Sequence, residues 1–242
     1  MKRLFLCAVV LMAASMDIIA QDVDQLAVGL FVAGKGGMNI GKQDPLFESG
    51  FVVNPLSDFG VTGYIPVSRR KNYGIILDVG MSSYSFSEKR IKPKANNPDS
   101  LSIVNKYSYL TIAPSFSISY LTFGFALGLP MGVSRKDDGG NDLGTTVRDS
   151  TFISFGVTDE VTRDLKENTQ MTLEIRVGTM IPILKSSTGR LNVFANAGYM
   201  LTGIYKDEFY AKFPTQSQYN PSTMSFSVGL NYVFNLTQPD EE

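Results

Sequence analysis

The chain of 242 residues has no histidine and no tryptophan, and its one cysteine is Cys7. Without histidine there is no side chain whose ordinary pKa lies near neutrality, so the commonest general base is missing. The commonest ligand for transition metals is missing with it. No cofactor or metal set is recognisable. Charge of one sign is also lacking. Lys and Arg number 22 and Asp and Glu 23, a balance that argues against nucleic acid as a partner. Beyond the first residues no apolar run approaches the roughly 20 residues that a membrane-spanning helix requires.

The first residues read as a secretory signal. Lys2 and Arg3 supply the positive start, residues 4–14 a short apolar core, and Ala20 precedes Gln21 at a plausible cleavage point. Leu4-Phe5-Leu6-Cys7 has the outline of a lipobox, but Cys7 follows the charges too closely to leave an apolar core. The expected organisation is a signal peptide over residues 1–20, one domain over 21–236, and a short acidic periplasmic tail over 237–242. Cleavage removes Cys7, so the mature chain is expected to hold neither a disulfide nor a thiol nucleophile.

What the sequence does hold is alternation with period two, the signal of a β-strand. Met224, Phe226, Val228, Leu230, Tyr232 and Phe234 share one face, and Ser225, Ser227, Gly229 and Asn231 share the other. The same division recurs around Leu26, Phe59, Tyr73, Leu110, Leu121, Leu173 and Leu191. The apolar face is large and unbroken. The opposite face is mostly Gly, Ala, Ser, Thr and Asn, with few of the charges that a water-facing surface carries. A soluble sandwich or a lipocalin also alternates, but small polar residues suit the crowded lumen of a narrow membrane barrel better. Lipid then demands closure, because every backbone N–H and C=O must be paired where no water reaches.

The connections fall into short (68–72, 119–120, 185–190) and long (41–57, 87–106, 134–168, 206–222), in alternation. Short periplasmic turns and long external loops give this pattern. The expected fold is therefore all-β, a closed antiparallel transmembrane barrel of about eight strands. Residues 151–157 also alternate, inside the third long connection. They are read as half of a hairpin above the membrane, with a ten-stranded barrel as the alternative.

Four charged residues fall on the proposed lumen face: Lys35, Asp78, Glu174 and Arg176. Their charges cancel. They are expected to form a salt-bridge network that fills the barrel, since buried charges must be paired. The rival reading is a selectivity constriction. Lys89, Arg90, Lys92 and Lys94, with Lys106 nearby, form a basic loop suited to lipopolysaccharide phosphates. Asp137-Asp138-Gly139-Gly140-Asn141-Asp142 has a faint calcium-loop character but lacks the spacing and closing Glu, and reads as a turn. Gly34-Lys35-Gly36-Gly37 has no Lys-Ser/Thr ending and is no phosphate loop. Tyr73, Tyr107, Tyr120, Tyr199, Tyr205 and Tyr232 are candidates for an interfacial girdle or for strand packing. Barrel enzymes such as the lipid deacylases, phospholipases and omptin proteases place a His beside Ser or Asp, so no enzyme activity is expected.

Three stretches carry a family resemblance. Tyr107-Ser108-Tyr109-Leu110-Thr111-Ile112-Ala113-Pro114 resembles the Tyr-Leu-x-Ile-Pro strand of the PorT-like group. Gly178-Thr179-Met180-Ile181-Pro182-Ile183 is followed by Gly189-Arg190-Leu191-Asn192-Val193-Phe194 and Gly198-Tyr199. The strand ending Tyr232-Val233-Phe234 resembles the aromatic signal read by the barrel-assembly machinery. Over most of residues 26–236 the chain resembles the outer-membrane β-barrel families of OmpX, OmpA N-terminal and PorT type. It departs from them where residues 235–242 follow the terminal aromatic, a tail too short for a peptidoglycan-binding domain. The resemblance implies the bacterial outer membrane, a monomer, lipopolysaccharide and the assembly machinery as partners, and no single activity. Three roles follow as expectations: a closed barrel with interacting loops, a small transport pore, or a PorT-like accessory of secretion or envelope assembly.

Overall fold

The alternation along the last strand is realised residue by residue. Met224, Phe226, Val228, Leu230, Tyr232 and Phe234 are exposed, while Thr223, Ser225, Ser227, Asn231 and Val233 are buried. A computed structural model describes residues 26–41, 47–68, 73–90, 102–150, 160–186, 188–206 and 220–236. The expected signal peptide and acidic tail, and the alternating residues 151–157, lie outside the described residues.

Among the described residues the strands are β1 (Ala27–Asn39), β2 (Phe47–Ser68), β3 (Tyr73–Arg90), β4 (Ser102–Ile118), β5 (Leu121–Asp137), β6 (Thr146–Ser150) and β7 (Glu160–Asp164), then β8 (Thr172–Lys185), β9 (Gly189–Met200) and β10 (Thr223–Asn235), with a single-turn helix α1 (Leu165–Asn168) after β7. Eight of them close a ring in the order β1-β10-β9-β8-β5-β4-β3-β2, and every neighbouring pair is antiparallel. The closing seam runs from Ala27↔Asn235 to Asn39↔Thr223 without a register shift. Strands β6 and β7 pair only with each other, so they stand outside the ring and the barrel is eight-stranded, not ten-stranded.

The barrel is inside out by the standards of a water-soluble protein. Leu30, Val61, Phe123, Val177, Ile183 and Phe226 lie on its outer wall and are exposed. Water charges roughly 1.5–3 kcal/mol for each such side chain. A continuous belt of them is tenable only against lipid, and the fold is that of a transmembrane barrel. The first and last described residues of the barrel meet at the end that carries the short turns. The Leu236 N–H donates to the Leu26 carbonyl at 2.8 Å, and the Asn235 N–H to that of Thr188 at 3.0 Å. At the same end, Ser119 and Tyr120 connect β4 to β5 in two residues, with Ser119 at a φ of 54°. A tight hairpin needs such a left-handed residue.

The long connections begin later than the sequence reading placed them. β2 is 22 residues long and starts at Phe47, so most of residues 41–57 is strand. β3 runs on to Arg90, β4 starts at Ser102 and β5 ends at Asp137. Lys106 is thus a strand residue and not part of a loop. About 10 residues suffice to cross the apolar layer, so these four strands rise above it. β5 pairs with β8 only from Leu121↔Thr179 to Gly128↔Thr172, and above that its pairing with β4 continues to Ile103↔Asp137. The alternation is lost here because the register shifts between Phe51 and Phe59 on β2 and between Ser108 and Tyr109 on β4, which breaks the two-residue period.

Candidate functional site

Inside the barrel, position alternation alone brings charged side chains together. Lys35 on β1 and Glu174 on β8 are 3% and 1% exposed. Charges so deeply buried require partners, and each has several. Lys35 Nζ lies 2.9 Å from Asp58 Oδ2 and donates to Ser82 Oγ at 2.6 Å. The Ser82 hydroxyl donates in turn to Asp58 Oδ1 at 2.9 Å. Glu174 accepts from Arg176 Nε at 2.9 Å, from the Tyr84 hydroxyl at 2.6 Å and from Ser225 Oγ at 2.7 Å. Tyr84 joins the two groups, because Lys35 Nζ also sits 4.2 Å from the centre of its ring. Such a cation–π contact adds to the pairing in a desolvated site.

Three of the four residues singled out by sequence, Lys35, Glu174 and Arg176, therefore belong to one network. Asp78 stands apart. It shares a cavity of about 30 Å³ with Arg176, Thr122, Asn196 and Asn231. Three network members, Asp58, Ser82 and Tyr84, escaped the sequence reading. Asp58 lies between the long connection 41–57 and Phe59, the first residue read on that strand, and counting back from Phe59 and Val61 puts it on the lumen face. Tyr84 carries no charge to draw notice. Gly198 has a packing reason, since a Cβ there would collide with the Glu174 carboxylate.

The lumen is closed above and below this network. Towards the long connections, Tyr84, Phe86, Tyr107, Tyr109, Leu165, Met200, Ile204 and Tyr205 form one buried cluster. Phe86 stacks on Tyr107, and the Tyr107 and Tyr205 hydroxyls bond to each other. Leu165 comes from α1, and Ile204 and Tyr205 follow β9, so two connections fold inward to complete the plug. Towards the short turns, Asn192 donates to Asn231 at 3.2 Å and Asn231 to Thr62 at 3.3 Å. Below them Tyr64, Ile76, Val233 and Ala27 pack together, with the Arg190 guanidinium 4.5 Å from the Tyr64 ring centre.

The tyrosines divide accordingly. Tyr107 and Tyr205 are plug residues and Tyr120 is buried, whereas Tyr199 and Tyr232 are exposed on the outer wall. In the basic segment, Lys89 and Arg90 end β3, and Lys89 is exposed. Lys92 and Lys94 lie outside the described residues. The acidic turn after β5 is closed by its own carboxylates. Asp137 accepts from the Asn141 backbone at 2.8 Å and side chain at 2.9 Å, and Asp142 from the Gly144 N–H at 2.9 Å. The side-chain amide of Asn141, then its backbone N–H, hold the Asp137 carboxyl below the usual range. Among the described residues no cluster of three acidic, Cys or His groups is placed to hold a metal.

No protein-family model matches the chain, and no curated protein matches it. Solved structures with a similar fold include the attachment invasion locus protein Ail of Yersinia pestis, in complex with the heparin analogue sucrose octasulfate. It is 12% identical with a TM-score of 0.36, over 87% of this chain and 99% of that one. The outer membrane protease OmpT of Escherichia coli is 10% identical with a TM-score of 0.34, over 91% of this chain and 100% of that one. The outer membrane protein OprG of Pseudomonas aeruginosa is 7% identical with a TM-score of 0.30, over 87% and 97%. OmpT and OprG are described as outer membrane proteins, and no family model supports the finer resemblance to the OmpX, OmpA N-terminal and PorT-type families.

Proposed function

We propose that this protein is a closed, non-catalytic barrel of the bacterial outer membrane. On this reading it presents the upper parts of β2 to β5 and the long connections to the envelope surface. The observation that carries the reading is the filled lumen. Ion pairs occupy its middle, an aromatic cluster closes one end and the Tyr64 layer the other. Eight strands enclose an interior just wide enough for side chains, and here side chains fill it. Catalysis finds no support in the same interior. The Ser82 and Ser225 hydroxyls donate to buried carboxylates, and the chain has no His to act as a base.

The basic residues at the end of β3, Lys89 and Arg90, continue in sequence to Lys92 and Lys94, which suits contact with lipopolysaccharide phosphates. The full chain reconstituted in planar bilayers should give no steady single-channel current at neutral pH, while its mobility on a gel shifts on boiling. Steady unitary currents from a heat-modifiable preparation would favour the pore instead.

A further inference from the structure

β2 does not follow β3 evenly. Phe51 pairs with Phe86 and Phe59 with Met81, so residues 52–58 stand opposite residues 82–85. The surplus length carries β2 away from β3, while Val52, Val53 and Asn54 stay paired with Gly37, Gly36 and Lys35 of β1. Gly37 of β1 comes close in its place, where a Cβ would stand 2.7 Å from the Ser85 carbonyl oxygen. The displaced stretch overhangs the outer wall, and a groove of about 470 Å³ lies between the two. Val53 lines it from the overhang, and Ser85, Lys106, Ser108, Ser134 and Lys136 line it from β3, β4 and β5. These residues face outward, because Tyr84, Asn105 and Tyr107 between them are buried in the lumen.

The groove has charge of one sign. Lys106 pairs with Ser134 and Val104 with Lys136, which makes the two lysines diagonal neighbours on one face. Such neighbours sit about 7–8 Å apart, within reach of a common anion. The carboxylates nearby are engaged elsewhere. Asp142 bridges to Lys136 through the backbone but its carboxylate accepts from the Gly144 N–H at 2.9 Å, Glu88 accepts from Asn105 at 2.8 Å, and Asp137 is held by Asn141. Neither lysine has an ion-pair partner among the described residues. Immediately below, the wall becomes apolar with Leu110, Leu129 and Met131, and the overhang exposes Phe51, Val53 and Leu56, with Val53 66% exposed. Cationic and hydroxyl donors thus meet an apolar surface at the edge of the belt.

We infer that this groove holds the phosphate headgroup of an anionic membrane lipid against Lys106 and Lys136, with Ser108 and Ser134 as further donors. The acyl chains lie along Leu129 and Met131. The inference rests on the membrane placement proposed above.

The test uses the full chain in nanodiscs of phosphatidylcholine with a minor fraction of phosphatidic acid of the same acyl chains. Lipid retained after extraction is counted by native mass spectrometry. The wild type should retain phosphatidic acid at least about tenfold over phosphatidylcholine, as charge-assisted hydrogen bonds at two lysines allow. The double variant Lys106→Gln/Lys136→Gln should fall to near parity, while Lys185→Gln, exposed at the short-turn end of the barrel, keeps the preference. Parity in the wild type, or an undiminished preference in the double variant, overturns the inference. So does full displacement by inorganic phosphate, which would mark a site for free anions. A protein that fails to insert, with no shift on boiling, removes the membrane placement as well. Insertion without a lipid preference removes this inference alone.

Discussion

A buried lysine and a buried aspartate are stable only together. Removing one leaves the other without compensation in a medium where a lone charge costs several kcal/mol. Lys35→Met strands Asp58, which then keeps only the Ser82 hydroxyl from the present network. The variant should lose about 3–5 kcal/mol of stability. Adding Asp58→Leu removes the stranded charge, so the pair Lys35→Met/Asp58→Leu should recover much of that loss. Urea titration in lipid vesicles, followed by the fraction that stays compact on an unheated gel, measures both. A double variant as unstable as the two single losses summed would show that the pair is not coupled. Glu174 differs, because three donors converge on it from Arg176, Tyr84 and Ser225. Glu174→Gln keeps the size but strands Arg176, and should also cost about 3 kcal/mol or more in the same titration.

At the scale of elements, ring and ornament separate. β6 and β7 pair only with each other, and their link to the rest includes the Leu165 N–H bonded to the Thr145 carbonyl at 3.0 Å. Replacing residues 148–162 by an Asn-Gly turn between Val147 and Arg163 keeps that bond and Leu165 in the plug. Loop shortening changes closure entropy by about 0.6 kcal/mol per halving. The variant should therefore assemble and shift on boiling as the wild type does, with a urea midpoint displaced by less than about 1 kcal/mol equivalent. A variant that cannot assemble would place the hairpin within the barrel's own stability. This division was legible where the period held. β10 could be read directly from Met224 to Phe234, because lipid on one side and lumen on the other impose strict alternation. It was illegible in β2, where the extra residues opposite Ser82 to Ser85 shift the register and hide the strand that precedes Asp58. The lumen site was half readable for the same reason. Charges on a regular strand announce their face, whereas Tyr84 and the plug residues Ile204 and Tyr205 depend on contacts between distant segments that no local pattern encodes.

For the whole molecule, the closures act in series, and that decides how it would have to be opened. The aromatic plug draws on β3, β4, α1, β9 and the segment after it, and the Tyr64 layer on β1, β2, β3 and β10. No residue is common to both. Truncating one layer leaves the other, and the ion pairs between them, in place. Tyr107→Ala/Tyr205→Ala should therefore stay silent in planar bilayers, and Tyr64→Ala/Ile76→Ala likewise. The combined variant should pass only a small current, through the ion-pair network that still spans the lumen, provided that it still assembles, which its shift on boiling reports. In that opened barrel the remaining narrow point is the network around Glu174 and Arg176, so Arg176→Glu on the same background should move the preference towards cations. Current from either single-layer variant would mean that the other layer is a movable gate, and the barrel would then be a pore with a stopper in it.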